Sequence, residues 1–365
     1  MIRYEDAVND ALLRLDDLGY ERGAGDFSNH GPMAAEALAA LGHGDQVATW
    51  VTRYRGAMEH HEPPTPRFGI DLADASSWRP ALGEFGRVGE WEYAFRRELA
   101  DAPWRDVLTR WWPRLIPGML SGLTHGPIRT AHAVRSLAAT PTPSDTQLTE
   151  FARALAYWAA RFHPLPGEAR LHGASSLGSA IAALPRRSPD GSPMPPPERL
   201  SRIGEHPGYH GALDAVSPAD PQWLISEMTA EFAGVYLAHP EVFPVPLIHG
   251  VTAPAAIRLV LPHLPTELHS PTLAALWQVH VALLLAFTTD RRDEDRAAAL
   301  AREEDVPALS ELIARGAEHV DEHVIKFTEA CAREYALRPD ARYPAALHAA
   351  QQRIPAQGVA AVPSD

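Results

Sequence analysis

The stretch Val320-Asp321-Glu322-His323-Val324-Ile325-Lys326-Phe327-Thr328-Glu329-Ala330-Cys331 decides the fold class, because its apolar residues recur with the period of an α-helix. At about 100° per residue, the apolar side chains fall on one face, and the two acidic residues before His323 fall on the opposite, polar face. His319, His323 and Lys326 share the edge of the apolar face, where side chains can reach a partly enclosed site. The same edge also suits a surface lysine with a buried stem. We expect one long helix over residues 305–337.

Lys326 is the only lysine among 33 basic residues, which leaves 32 arginines. Arginine keeps its proton in proteins, whereas a buried lysine can lose it. A single retained lysine therefore indicates chemistry that needs a neutral amine, or else it reflects codon bias and chance.

The composition excludes several classes of protein. The 365 residues are enough for a large core, and a net charge of −13 with a pI near 5.7 disfavours binding to nucleic acid or to an anionic membrane. The N-terminus lacks a signal-peptide pattern, and no apolar run approaches the roughly 20 residues of a membrane span. Cys331 is the only cysteine, so internal disulfides are impossible and a cytoplasmic location is expected. The 18 histidines point to metal chemistry.

The other periodic segments also have helical spacing, and no run alternates with the two-residue period of a strand. The sequence predicts an all-α, multi-helix globular enzyme with a metal site between helices. It would form a single domain over residues 1–355, with a disordered tail over 356–365. The Pro/Gly-rich residues 164–221 are expected to form a lid, an insertion or a boundary between two helical halves. The remaining predicted helices cover residues 3–19, 33–41, 45–60, 84–100, 103–122, 144–163, 221–238, 267–289 and 343–353.

Three histidines precede glycines where a helix is expected to start. They lie in His30-Gly31-Pro32, His125-Gly126-Pro127 and His249-Gly250. Proline suits the first turn of a helix, so each imidazole would be held at a helix N-terminus. His132 follows in the second segment. Because Gly-Pro interrupts the chain there, the imidazoles of His125 and His132 could converge. Otherwise His125 would cap a helix and His132 would lie at the edge of the core.

The motifs of several enzyme classes are missing from the sequence. It contains no Gly-x-Gly-x-x-Gly dinucleotide fingerprint, no P-loop, no His-Glu-x-x-His, no His-Asp pair and no Gly-x-Ser-x-Gly. Histidines scattered over an all-α scaffold therefore favour metal chemistry.

Five segments resemble the questin oxidase-like family, in the expected order and over nearly the whole chain. The two most specific blocks are the one from Leu-Thr-His125-Gly to His132-Ala-Val-Arg135 and the one with the sequence His323-Val-Ile-Lys326. The five segments are Asn29–Leu38, Leu115–Arg135, Ala154–Arg161, His249–Thr252 and His323–Cys331.

This resemblance implies an oxygenase of polyketide pathways that opens the central ring of an anthraquinone with O₂. Part of the family looks like non-haem iron dioxygenases, whose Fe(II) is held by several histidines and a carboxylated lysine. In this chain that group would be a CO₂-derived carbamate on Lys326. One alternative is a Baeyer–Villiger-type monooxygenase that takes electrons from NADPH. Another is a non-catalytic protein that binds an aromatic metabolite.

The resemblance also implies the site residues. The positions that match the family's metal ligands are His30, His125, His132, His249 and Lys326. His323, one turn before Lys326, would replace one of the four histidines or orient a ligand. Lys326 and Arg129 are the expected catalytic residues, with Arg129 binding a phenolate or orienting a ligand unless it forms a structural salt bridge. His280 and His319 match no family position and are expected at the core edge. The expected partners are an aromatic small molecule and O₂, without nucleic acid or membrane, and the oligomeric state stays open.

Overall fold

The computed structural model describes residues 2–186 and 194–355, and helices dominate them. The strands in this part of the chain are two residues long, Glu21–Arg22 (β1) and Phe27–Ser28 (β2), and they form an antiparallel hairpin. The all-α prediction is therefore confirmed, while the predicted tail over 356–365 lies outside the described residues. The first nine helices are α1 Tyr4–Leu15, α2 Gly31–Ala40, α3 Val47–Ala57, α4 Ala75–Trp78, α5 Val88–Asp101, α6 Trp104–Leu115, α7 His125–Ala139, α8 Asp145–Ala160 and α9 Leu177–Ala183. The next nine are α10 Pro196–Ser201, α11 Tyr209–Ala212, α12 Pro221–Ala238, α13 Pro244–Val260, α14 His269–Phe287, α15 Ala297–Glu303, α16 Leu309–Glu318, α17 Glu322–Leu337 and α18 Arg342–Arg353.

The single helix predicted over residues 305–337 is wrong, because the chain forms two helices, α16 and α17, with a break at 319–321. Asp321 causes the break by capping α17, where its carboxylate accepts the backbone N–H groups of His323 and Val324. His319 therefore precedes the helix and does not share a face with His323 and Lys326. The acidic residues also differ from the prediction, since Asp321 and Glu322 are both buried.

The described part of residues 164–221 contains three short α-helices, α9, α10 and α11, and most of this described part is irregular. Its described part packs against α14, where the indole N–H of Trp277 donates to the Ala212 carbonyl at 2.8 Å. The side-chain amide of Gln278 donates to the Tyr209 hydroxyl at 2.9 Å. Leu177, Ile203 and Tyr209 join the main hydrophobic core. The described part of the segment thus belongs to the packed body of the protein.

Two hydrophobic clusters form the core of the described residues, and α17 lies between them. The larger cluster is built mainly from α5 to α8 and α12 to α14, and the smaller one from α1 to α3. On α17, Val324 and Phe327 join the larger cluster, whereas Ile325 joins the smaller one. The helix packs against α2 and α13 as well as α16 and α18. This placement buries Lys326 at the junction of the two clusters.

Two helical stretches, Pro244–His263 and Thr266–Phe287, are long and apolar enough to cross a membrane by length and composition. The expectation that no run approaches such a span was therefore too strict. Most of each stretch is buried inside the protein, and the core helix of a soluble protein passes the same test. The two helices are weak evidence for a membrane segment.

Candidate metal centre

Four histidines from four helices converge on the single lysine. His30 is the residue before α2, His125 is the first residue of α7, and His249 lies inside α13. His323 and Lys326 lie one turn apart at the start of α17. The sequence placed His249 at a helix start, and this is wrong, because α13 already begins at Pro244 and continues through Pro254.

The distances between the rings define a compact cluster. The ring centres of His30 and His125 are 4.4 Å apart, those of His30 and His323 4.5 Å, and those of His125 and His249 4.5 Å. One ring nitrogen from each of His30, His125 and His323 lies within 4.8 Å of the others. The Lys326 Nζ is 3.1 Å from the His30 Nδ1. We call these five residues the histidine cluster.

A left-handed turn before α7 orients two of the imidazoles. Gly122, Leu123 and Thr124 have φ values of 59°, 54° and 68° in succession, which is rare for residues with a Cβ. The turn aims the Gly122 carbonyl at the Nδ1 of His125. It also places the Leu123 carbonyl and the Thr124 hydroxyl at the Nδ1 of His249, the hydroxyl at 2.9 Å. Carbonyl acceptors fix the proton on each Nδ1, so each Nε2 keeps its lone pair.

Neither Nε2 has a hydrogen-bond partner within the described parts of the chain, although both atoms are buried. A buried acceptor left without a partner costs about 1–3 kcal/mol. Imidazole Nε2 atoms oriented through Nδ1 hydrogen bonds are the usual arrangement of histidines that bind a metal. These two nitrogens are therefore the atoms through which the cluster could bind a cation.

Two carboxylates that the sequence analysis did not select lie beside the cluster. An oxygen of Asp321 is 3.3 Å from the His323 Nδ1, and one of Glu322 is 3.8 Å from the His30 Nδ1. Glu322 also pairs with the buried guanidinium of Arg22. The sequence did contain a signal for these two carboxylates. An acidic pair at the start of a helix places one residue as the N-cap and the next in the first turn.

Burial favours the neutral forms of three imidazoles and of the lysine in the cluster. It lowers the pKa of His30, His125 and His249 well below the usual range, and the nearby Lys326 charge lowers all three further. Burial also lowers the pKa of Lys326 to about 8, although Glu322 and Asp321 oppose the shift. Neutral imidazoles and an amine with a pKa of about 8 suit a divalent transition metal such as Fe(II).

Helix packing explains the glycines that follow the histidines. A Cβ on Gly126 would meet the Trp158 ring at 2.7 Å, and one on Gly250 would clash with Phe232. His30 and His125 do lie at helix starts, as predicted, and only His249 does not. The glycines after His125 and His249 are explained by the close packing of their helices against a neighbour.

The structure does not bring His132 to the cluster. Helix α7 runs without interruption from His125, so seven residues separate the two imidazoles by roughly 10 Å along the axis. The His132 Nδ1 donates instead to Glu36 at 2.6 Å, within a buried group of charges. This ion-pair network links α2, α7 and α17, and it consists of Glu36, His132, Arg135, Glu329 and Arg333. The prediction that His132 could converge with His125 is wrong. His323 lies in the histidine cluster where His132 was expected.

Arg129 forms a salt bridge, which was the alternative to the ligand-binding role expected for it. Its Nε and Nη2 donate to the two oxygens of Glu150 at 2.6 and 2.8 Å, and the pair is buried. The expected contact of Arg129 with a ligand is not seen, because Arg129 is not among the residues that line the cavity beside the cluster. His280 and His319 are buried too. His280 donates to the Gly250 carbonyl at 2.8 Å, and His319 accepts the Asp321 N–H at 3.0 Å.

A cavity of about 670 Å³ opens beside the cluster and is lined by His30, His125 and His323. Its volume lies within the usual range for small-molecule sites. The hairpin of β1 and β2 forms one wall, and the start of α13 forms another. No described residue of segment 164–221 lines it, which argues against the lid alternative for that part of the segment.

Comparison of the chain with protein-family models and with curated proteins gave no match.

Proposed function

We propose that the chain is a non-haem iron-dependent oxygenase that cleaves a ring of a polycyclic aromatic, anthraquinone-type substrate with O₂. The observation that carries the proposal is the convergence of the only lysine with four histidines from four helices. Arginine stands at every other basic position and cannot become an oxygen ligand, whereas lysine can. Iron, when bound, would supply the activation of O₂ that amino-acid side chains do not provide.

In this proposal the chain holds Fe(II) through His30, His125, His249 and His323, with Lys326 as a carbamate. The neutral Lys326 amine attacks CO₂, a new N–C bond forms, and one amine proton leaves to solvent. One oxygen of the former CO₂ then carries the negative charge that a hard metal ligand needs. The lowered pKa of Lys326, about 8, supports this step because it makes the neutral amine accessible.

The charges around the cluster support a divalent cation. Asp321 and Glu322 are buried carboxylates, and Arg22 is a buried cation that pairs with Glu322. Buried charges are stable only when they are balanced. A carbamate and two carboxylates balance one guanidinium and a divalent ion, which leaves the site neutral.

The cavity provides room for the substrate next to the cluster. Its lining includes Leu123, Val245, Pro246 and Val320, which would cover an aromatic ligand and exclude water from it. A substrate there would contact the imidazoles of His30, His125 and His323 directly.

The test is to express the chain with iron, measure bound metal by elemental analysis, and record O₂ consumption with hydroxylated anthraquinones. We expect iron in the wild type and product formed without NADPH. Lys326→Arg should lose both iron and turnover, because it keeps the positive charge and cannot form a carbamate. Metal affinity should fall by more than about 100-fold.

Full activity of metal-free protein would refute the proposal. A strict need for NADPH would favour the Baeyer–Villiger alternative, and tight binding of the aromatic compound without O₂ consumption would favour the binding protein. A Lys326→Arg variant that keeps iron and turnover would refute the carbamate.

A further inference from the structure

Two arginines line the cavity, and they use their donors differently. Arg161 places Nε and Nη2 on the two oxygens of Glu21, at 2.7 and 2.5 Å, in a bidentate fork. Arg22 reaches Glu322 through Nη2 alone. Its Nε is buried without a hydrogen-bond partner in the ranges that the structure describes, and the residue is only 7% exposed. An unsatisfied guanidinium N–H in a cavity is costly unless a ligand accepts it.

The position of Arg22 is rigid. Its guanidinium carbon lies 4.3 Å from the centre of the Tyr54 ring, and the Tyr54 hydroxyl accepts the backbone N–H of His30 at 2.7 Å. Glu322, its ion-pair partner, lies on the first turn of α17 next to His323. The free donor of Arg22 is therefore fixed relative to two residues of the histidine cluster.

The charges decide which acceptor suits this donor. Arg22 is already balanced by Glu322, and Arg161 by Glu21, so the lining offers no uncompensated positive charge from these two residues. A carboxylate or sulfonate on the ligand would approach Glu322 and be repelled. A neutral carbonyl oxygen accepts the hydrogen bond without this penalty.

Aromatic side chains define the shape of the ligand. Tyr54 and Tyr157 line the inner part of the cavity, and Phe27 and Phe243 line it as well while remaining 45% and 43% exposed. Exposed aromatic residues at a cavity commonly mark a ligand-binding surface, and ring faces favour flat aromatic ligands.

We infer that Arg22 is a positioning residue that donates a hydrogen bond to a neutral carbonyl oxygen of a flat aromatic ligand in this cavity. The inference rests on the proposed function only in identifying that ligand as the substrate. It selects quinones and aromatic ketones over hydrocarbons and over aromatic carboxylates. It also fixes the ring that carries the carbonyl beside His30 and His323.

The test is equilibrium dialysis of the protein without O₂, both as purified and after iron loading, with naphthoquinone, naphthalene and naphthoate as probes. Leaving out O₂ ensures that no turnover interferes. Arg22→Lys keeps the charge next to Glu322 and removes the planar donor. The matched control is Arg161→Lys, which changes the arginine whose donors are already used. Arg22→Gln serves as a second variant if Arg22→Lys does not fold, and iron content is measured for each protein.

Arg22→Lys should weaken naphthoquinone binding about tenfold and leave naphthalene binding unchanged. Arg161→Lys should change naphthoquinone binding by less than about twofold. Wild-type protein should bind naphthoquinone more tightly than naphthalene or naphthoate. This order is tested even if both Arg22 variants unfold.

Equal weakening of naphthoquinone and naphthalene by Arg22→Lys would overturn the inference, because it would mean a structural role. Tighter binding of naphthoate than of naphthoquinone would overturn it as well. The failure of the proposed function looks different: iron and O₂ consumption would be missing while the Arg22 effect on dialysis persists. Conversely, an active iron enzyme whose Arg22 variants bind naphthoquinone normally would refute only the role of Arg22.

Discussion

Two buried polar regions share the same helices and satisfy their polar atoms in opposite ways. In the histidine cluster, the Nε2 atoms of His125 and His249 have no partner in the described structure. In the ion-pair network, Glu36 accepts from His132 and from both Nε and Nη2 of Arg135, and Glu329 accepts from Arg135 and Arg333. The network uses its acceptors within the protein, whereas the cluster keeps lone pairs available for a cation.

The ion-pair network connects the helices that carry the histidine cluster and so can keep the cluster in place. Glu36 lies on α2, His132 on α7 and Glu329 on α17, so the network clamps three of the helices that carry the cluster. Arg258 on α13 extends the clamp to the fourth, because it pairs with Glu334 on α17 at 2.7 Å. The ion-pair network stabilises the packing of the helices. The unpaired nitrogens of the histidine cluster next to it can therefore serve ligand binding.

The largest effect is expected from breaking the network. Glu36→Gln removes a buried charge that faces Arg135 and leaves the half-buried Arg135 guanidinium partly unpaired, so the free energy of unfolding should fall by about 3 kcal/mol. Urea denaturation of metal-free protein measures it. Glu311→Gln, in the exposed pair with Arg315, is the control and should cause no measurable change. A loss below about 1 kcal/mol for Glu36→Gln would mean that the network does not clamp the helices.

Acid should weaken the network next. Burial raises the pKa of Glu36, but Arg135 and His132 outweigh burial and bring the pKa from 4.5 down to about 2. The stabilisation by the ionised carboxylate is therefore complete above pH 4.5 and is lost as the pH falls towards 2. The loss should reach about 3 kcal/mol. Urea unfolding of wild type and Glu36→Gln at several pH values should show their difference shrinking in acid, and a constant difference would contradict this.

The two histidines of α7 give the sharpest test of the contrast. His125→Ala should reduce iron affinity by more than about 100-fold and lower the stability of metal-free protein less than His132→Ala does, because the His125 Nε2 has no partner and only the Nδ1 contact with the Gly122 carbonyl is lost. His132→Ala should do the reverse, since it leaves Glu36 short of a donor and keeps the cluster intact. Chelator competition measures iron affinity, and urea unfolding measures stability. Loss of iron from His132→Ala alone would return His132 to the ligand set.

The smallest effect concerns the left-handed turn. Thr124→Val keeps the shape of the side chain and removes the hydroxyl at the His249 Nδ1, so iron affinity should fall by about tenfold. Thr130→Val is the matched control, because the Thr130 hydroxyl donates to a backbone carbonyl within α7 at 2.9 Å. Chelator competition compares the two. Equal affinities would show that the Leu123 carbonyl alone orients His249.

The site was only partly predictable from the sequence. His30, His125, His249, His323 and Lys326 were all among the candidates, but nothing in the sequence separated them from His132. That choice depended on two breaks that were assigned wrongly: α7 continues past Gly126-Pro127, and the last long helix is interrupted at Asp321. Proline in a first turn allows a helix to continue, and an aspartate that caps a helix interrupts one. Both effects are local, but their position depends on neighbouring packing.

By itself, the sequence determined that the chain is helical, because the period of an amphipathic helix can be read from consecutive residues. It also determined the presence of a single lysine among arginines. Only the tertiary structure decided which side chains meet. Lys326 and His30 are 296 positions apart in the chain, and their contact at 3.1 Å exists because α17 packs against α2 between two hydrophobic clusters. Long-range packing, which no local pattern encodes, also buried Asp321 and Glu322, directed Arg129 to Glu150, and placed Arg22 in the cavity lining with an Nε that has no partner among the described residues.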